Sequence, residues 1–306
     1  MIEQSTLIGE GQNSLIYLHK GKEYPDPVIL KVLKDNFYPH TAALVNEINL
    51  TKNLNIKGVR SSLEMQDVED KQVLVLEYFE GKTIKQFVKD NNVTFIDKLK
   101  IAHRICEIIH QLHDKDIIHH DISSNNILLN DLNDACLIDF GLASNVDMKL
   151  DISGASDQSL AGTLPYISPE QTGRVNHVVD QRSDLYSLGA VFYELFTGRL
   201  PFDFSDPMEL VHAHLAIKPA PLSDVAPGLP EVLSDIVLKL LSKDIEGRYQ
   251  SARGLQADIQ QCLDQLDMQV AIEKFSLGKN DQKGRFLIPS KLYGRDTQKE
   301  TLLSSF

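Results

Sequence analysis

The sequence predicts an α+β chain of two lobes, a small mainly β lobe over residues 1–79 and a larger mainly α lobe over 80–266. Three observations predict it. Short apolar runs broken by turn residues crowd the first eighty positions, at Leu7 to Tyr17, Val28 to Leu33 and Gln72 to Phe79, and read as strands. Segments with apolar residues at helical spacing follow, the clearest from Thr94 to His113 and from Ser251 to Leu266. A chain of 306 residues, 42% hydrophobic and 24% charged, can bury a large core, and one two-lobed domain with an appendage is the natural count.

Leu7 to Tyr17 reads as strand, glycine-rich turn, strand, with Gly9 and Gly11 in the turn, Ser14 closing it and Ile16 at the apolar position after it. In Val28 to Leu33 one lysine, Lys31, interrupts an apolar strand. Burying it is unfavourable unless an anion meets it, whereas Lys34 at the strand end can face water. Glu47 follows on a helical pattern that includes Leu44, Ile48 and Leu54, and is the candidate partner of Lys31. Gln72 to Gly81 reads as a buried strand breaking into a loop. Along Thr94 to His113, His103, Cys106, His110 and His113 share one side. His103 and His113 stand about 15 Å apart along a helix axis, too far to share an ion, so the stripe reads as a partly buried flank.

The stretch Ile117 to Gly141 places two carboxylates and an amide, Asp121, Asn126 and Asp139, on two tight loops around an apolar hairpin, Ile127 to Leu129 and Ala135 to Ile138. Phosphoryl transfer from ATP asks for such a set: one carboxylate to orient a hydroxyl, and hard oxygen ligands to hold Mg2+ against the phosphates. Beyond it, Ala143 to Gly162 is polar and aperiodic, and long polar loops in compact domains are usually functional.

The formal net charge of −12, with no lysine-arginine cluster, argues against a nucleic-acid surface. No apolar run approaches the roughly 20 residues of a membrane span, and the N-terminus lacks a signal-peptide pattern. Three widely spaced cysteines argue against a disulfide scaffold and suit a reducing cytoplasm.

The loop H-H-D-I-S-S-N-N followed by D-F-G resembles the catalytic segment of protein kinases, and the order of motifs around it resembles the rest of that family, from Leu7 to Leu266. The resemblance implies a bilobal protein kinase-like fold. It implies Asp121 as catalytic base, Asn126 and Asp139 as Mg2+ ligands, and Lys31 paired with Glu47 as the grip on ATP phosphates. It further implies nucleotide contacts from Gly9, Glu10, Gly11, Ser14, Ile16, Ile29 and Leu128, with Leu76 as gatekeeper and the backbone of Glu77 and Phe79 meeting adenine. Gly162 to Glu170 is similar to the kinase segment ending in A-P-E. There Thr163 would brace the catalytic Asp as in serine/threonine kinases, Asp184 would anchor the catalytic loop, and Arg248 would pair with Glu170.

Two positions depart from the family pattern. His120 replaces the arginine of H-R-D, and a histidine with a pKa of about 6.5 would be a weaker, pH-dependent cation. Ser123 replaces a lysine, which removes positive charge from a site that works by charge stabilisation. Lys149 is the only basic residue between Gly141 and Glu170, so phosphorylation of Ser153, Ser156 or Ser159 is not the expected switch, and control is expected from contacts beyond Arg285. Residues 267–306 read as linker and the start of a second domain. I-P-S-K-L-Y-G-R-D near their end is similar to large bacterial signalling proteins in which a serine/threonine kinase domain precedes an NTPase and often a histidine kinase module. The function expected is ATP-dependent phosphorylation of protein substrates. A pseudokinase docking module and a small-molecule phosphotransferase are the alternatives, the second disfavoured by Asp184, Arg248 and the Ser-Pro-Glu segment.

Overall fold

Strand β1 (Thr6–Glu10), strand β2 (Ser14–His19) and strand β3 (Val28–Leu33) lead into helix α1 (Tyr38–Thr51). Strand β4 (Ser62–Val68) and strand β5 (Lys71–Glu77) complete an antiparallel sheet in the order β1-β2-β3-β5-β4. The computed structural model describes residues 2–11, 13–34, 38–68, 71–132, 134–145, 164–268 and 270–281. All six residues of β3 are buried because the strand has apolar neighbours on both faces. One face packs Val28, Leu30 and Val32 on Val73 and Val75; the other packs Ile29 and Leu33 with Leu44, Leu74 and Leu76. Period-2 alternation puts Lys31 on that second face, opposite Ile16 and Leu74 in register.

Helix α1 stops at Thr51, whose hydroxyl bonds back to Glu47 O (2.8 Å) and lies 2.6 Å from Ser62 Oγ. Leu54, expected on the helix with Leu44 and Ile48, therefore falls beyond its end and packs instead against the large-lobe core near Ile56 and Val59.

The large lobe follows through β6 (Lys82–Thr83), α2 (Ile84–Asp90), α3 (Phe95–His113), β7 (Ile117–Ile118), the hairpin β8 (Ile127–Leu129) and β9 (Ala135–Leu137), and β10 (Ser144–Asn145). It closes with α4 (Gln181–Thr197), α5 (Pro207–Ala216), α6 (Leu222–Val225), α7 (Glu231–Leu240) and α8 (Ala252–Asp267). Thr94 starts α3 with a reciprocal cap, its hydroxyl accepting from Asp97 N–H while the Asp97 carboxylate accepts from Thr94 N–H. Helix α4 is buried continuously from Ser183 to Phe196. Its polar side chains are tolerated there because each finds a partner, as with Ser183 on Glu170 and Glu194 under Tyr166 and Ser124.

Helix α8 ends at Asp267, next to the expected boundary, but residues 270–281 are more than a bare linker. Ile272, Phe275 and Leu277 pack on the large-lobe core, and Asp281 accepts from the N–H groups of Gln250 (2.8 Å) and Ser251 (2.9 Å) and from Ser251 Oγ (2.8 Å). The close approach explains Gly254, which is otherwise unfavourable in a first helical turn: a Cβ there would stand 2.7 Å from Asp281 Cα. Periodicity fades in this stretch because isolated apolar residues on an irregular strap make the contact.

Asp281→Ala leaves two backbone N–H groups without their acceptor, so we expect a loss of about 1–2 kcal/mol in denaturant melts. Gly254→Ala is expected to lower stability in the same way by displacing the strap, and an unchanged midpoint in both variants would contradict the packing role.

Candidate active site

Three elements deliver charge to one cleft. Strand β3 carries Lys31, helix α1 carries Glu47, and the exit of β9 carries Asp139, whose backbone turns through φ 67°. Such a left-handed conformation is strained for a residue with a Cβ and persists where surrounding bonds hold it. Lys31 Nζ donates to Glu47 Oε2 at 2.7 Å and to Asp139 Oδ1 at 2.9 Å. Burial alone would lower the ammonium's pKa, but Asp139 and Glu47 outweigh it and raise it. Burial pushes the Glu47 carboxyl up against the pull of Lys31, whereas at Asp139 the lysine outweighs burial and keeps the carboxyl low. Asp139 Oδ1 also accepts from Gly141 N–H at 3.4 Å, and among the described residues no hydrogen bond engages Oδ2.

Asn126 Nδ2 donates to the carbonyl oxygen of Asp121 (2.9 Å) and to its Oδ2 (2.8 Å). Both bonds use the amide nitrogen, so the amide oxygen of Asn126 is the atom left to present. Asp184, buried on α4, accepts from the backbone N–H groups of His119 (2.8 Å) and His120 (2.9 Å) and lies 3.0 Å from His113 Nε2. It thereby stabilises His120 at φ 65°. The histidine side of α3 resolves into separate roles: Cys106 is in the core, His113 meets Asp184, and His110 sits 3.5 Å from Asp114.

The cleft encloses about 570 Å³. Gly9, Glu10, Gly11, Ser14, Ile16, Ile29, Lys31, Glu47, Leu76, Phe79, Leu128, Asn126 and Asp139 all line it. The turn over it closes with a bond from Gly11 N–H to Ser14 O at 2.8 Å. Glu77 instead lines a second cavity, behind the end of β5, because side chains alternate and Leu76 takes the cleft side. Asp121 sits beside the lining, clamped by Asn126. Thr163, Ser153, Ser156, Ser159 and everything beyond Asp281 lie outside the described residues.

His120 does not stand as a pH-dependent cation. Burial lowers its pKa despite nearby Asp184, so the ring is neutral near pH 7, and its Nε2 sits 2.7 Å from Ser144 Oγ. The contact ties the catalytic loop to β10, which also pairs with β7. Arg60 also lines the cleft. Nothing in the sequence marks it, because its neighbours Lys57, Gly58, Ser61, Ser62 and Glu64 are polar or small and a charge among them reads as solvated.

Below the cleft, Arg248 grips Glu170 with both fork nitrogens, at 2.6 and 2.9 Å. Arg248 also donates to Ser242 O and stacks its guanidinium 4.8 Å from the ring centre of Tyr186. Burial would raise the Glu170 carboxyl, but the Arg248 bonds outweigh it and hold it below the ordinary range.

A family model described as the protein kinase domain matches residues 2–263. A probable serine/threonine-protein kinase of Clostridium perfringens is 30% identical over 286 residues, 92% of this chain and 41% of that protein. The serine/threonine-protein kinase PrkC of Bacillus subtilis is 28% identical over 262 residues, 84% of this chain and 40% of its own. Hybrid signal transduction histidine kinase G of Dictyostelium discoideum is 42% identical over 163 residues, 47% of this chain and 5% of that protein. The chain thus spans about two fifths of the length of these two serine/threonine kinases.

Arg248→Met leaves Glu170 buried without its counter-charge, and we expect a loss of about 3–5 kcal/mol at neutral pH in urea melts. Because the folded pKa of Glu170 is depressed, its contribution is full above the unfolded value of about 4.3 and is lost as pH falls through the lower folded value. The variant is expected to lose that part of the acid dependence, and parallel acid limbs in parent and variant would refute the pairing's weight.

Proposed function

Because the chain belongs to the protein kinase family, with relatives named as serine/threonine kinases, we propose that it transfers the γ-phosphoryl group of ATP to serine and threonine hydroxyls of a protein substrate. The observation that carries this is Lys31 bonded at once to Glu47 and Asp139, in the cleft to which Asn126 and Asp121 are clamped.

The residues present fit ATP and Mg2+. An apolar slot of Ile16, Ile29, Leu76 and Leu128 suits a purine, and the lysine, amide and carboxylate end suits phosphates and a hard cation. When bound, ATP supplies the phosphoryl group and Mg2+ the charge that neutralises its oxygens. Lys31, held in place by Glu47 and Asp139, has one N–H left of its three for the phosphate end. Asp139 offers its ionised Oδ2 and Asn126 its amide oxygen to the metal. Asp121, oriented by the Asn126 amide, aligns the substrate hydroxyl and receives its proton. Thr163 is assigned the bracing of Asp121, and the backbone of Glu77 and Phe79 the adenine edge.

Ser123 is buried and neutral where the family has a lysine, so this site has less positive charge than its relatives' pattern and a modest rate is expected. Similarity to a hybrid signal transduction histidine kinase over part of this chain supports placing the domain in a larger signalling protein; the NTPase assigned to follow it rests on the resemblance of I-P-S-K-L-Y-G-R-D. No helix among the described residues is long and apolar enough to cross a membrane. Free, buried Cys106, Cys136 and Cys262 support a reducing, cytoplasmic setting.

Labelled ATP with Mg2+, followed by mass-spectrometric mapping of the labelled residue, tests the activity directly. Lys31→Ala is expected to abolish transfer with the fold intact, and an unchanged rate would remove Lys31 from the mechanism. Nucleotide is expected to raise Tm more with Mg2+ than with chelator in the parent, and equally in Asp139→Asn.

Burial disfavours the charged form of His120, so it is a weaker receiver of an activation-loop phosphate than the arginine of the family pattern. The triple alanine variant of Ser153, Ser156 and Ser159 is therefore expected to keep parental activity. A large loss restored by acidic replacements would overturn this.

A further inference from the structure

Arg60 takes no part in the chemistry proposed above, yet it is 9% exposed and lies in the wall shared by the cleft and the cavity behind β5. Its backbone is fixed, with N–H donating to Leu137 O at 3.0 Å while Gly58 O accepts from Leu137 N–H at 2.8 Å. Its side chain is not so satisfied. Among the described residues the guanidinium makes no hydrogen bond or ion pair, and its Nε is enclosed without an acceptor. Nearby Glu47 and Asp139 are already engaged by Lys31. Burial pulls the guanidinium's pKa down, opposed by Cys136, Glu47 and Asp139, but arginine remains a cation in proteins. A buried planar fork of donors with no partner is matched by one kind of group, a carboxylate or phosphate.

The rear cavity has room for such a ligand. It encloses about 610 Å³ between the loop after α1, the end of β5 and β9, within the range of small-molecule sites. Lys52 adds positive charge to its lining, while Lys57 and Asp134 meet there at 3.6 Å and offset each other, leaving Glu77 as the other acid. We propose that Arg60 is the base of an anion site in this rear cavity, taking the carboxylate or phosphate of a small metabolite separately from the nucleotide. The alternative is that Arg60 only balances the charges of Glu47 and Asp139.

The test uses the full chain labelled with 15N-arginine and saturated with Mg2+ and ADP, titrated with inorganic phosphate in one arm and succinate in the other. Chloride at matched ionic strength is the control. The Arg60 Nε–H signal is expected to shift saturably with one of the two probes, which identifies the group taken. Tm is expected to rise roughly 3 °C at ten times the dissociation constant. Arg60→Met is expected to fold, since it removes an unpaired buried charge, and to lose the Tm response; Arg60→Lys is expected to keep part of it. No shift at tens of millimolar with either probe would overturn the proposal, as would an equal shift with chloride or a response seen only in a parallel titration without ADP. Destabilisation and weaker ADP binding in Arg60→Met, with no anion response in the parent, would assign the residue to balancing Glu47 and Asp139. The readout needs no catalysis, so it stands or falls apart from the kinase reading.

Discussion

The two lobes meet through one buried ammonium. Lys31 comes from the sheet, Glu47 from the helix packed on it, and Asp139 from the far lobe, and burying the ammonium is costly unless such counter-charges meet it. Each charge therefore constrains the placement of the other two. Asn46, one residue before Glu47, adds a second clasp by donating to the carbonyls of Phe140, Gly141 and Ala143, the last at 2.6 Å. The segment carrying Asp139 is thus held by side chains of α1 on two successive positions.

A second set of buried charges supports the floor. Helix α4 has no apolar-only face because it lies in the middle of the large lobe, and its polar residues serve as internal fixtures. Asp184 holds the loop carrying Asp121 by two backbone N–H groups, and Ser183 shares the Glu170 carboxylate with Arg248. These bonds join segments far apart in sequence, so they fix tertiary geometry rather than local helix or strand. The positive φ at His120 is sustained by them.

The same burial that shapes His120 removes it as a charge. In its place the loop is joined to β10 by a neutral contact between His120 and Ser144 and by the short β7–β10 ladder. That arrangement joins Ser144 and Asn145, at the start of the segment after Asp139, to the loop carrying Asp121. At the other end of the domain the strap ending at Asp281 closes over α8, so the chain leaving the kinase fold is held to it before continuing.

The sequence by itself determined the strands, the long helices and most of the site, because its signals are local: a lysine inside an apolar strand, a carboxylate at the end of a hairpin, a capping residue before a helical period. Lys31, Glu47, Asn126 and Asp139 were legible for that reason, and the geometry of the cleft follows from where those elements end. Only the tertiary structure buried His120 against Ser144, and that desolvation lowers the ring's pKa from its ordinary range. Tertiary packing also ended α1 before Leu54, docked residues 270–281 on the large lobe, and enclosed Arg60 Nε without an acceptor among the described residues. Burial and pairing are properties of what the rest of the chain brings alongside a residue, and neither periodicity nor motif spacing carries that information.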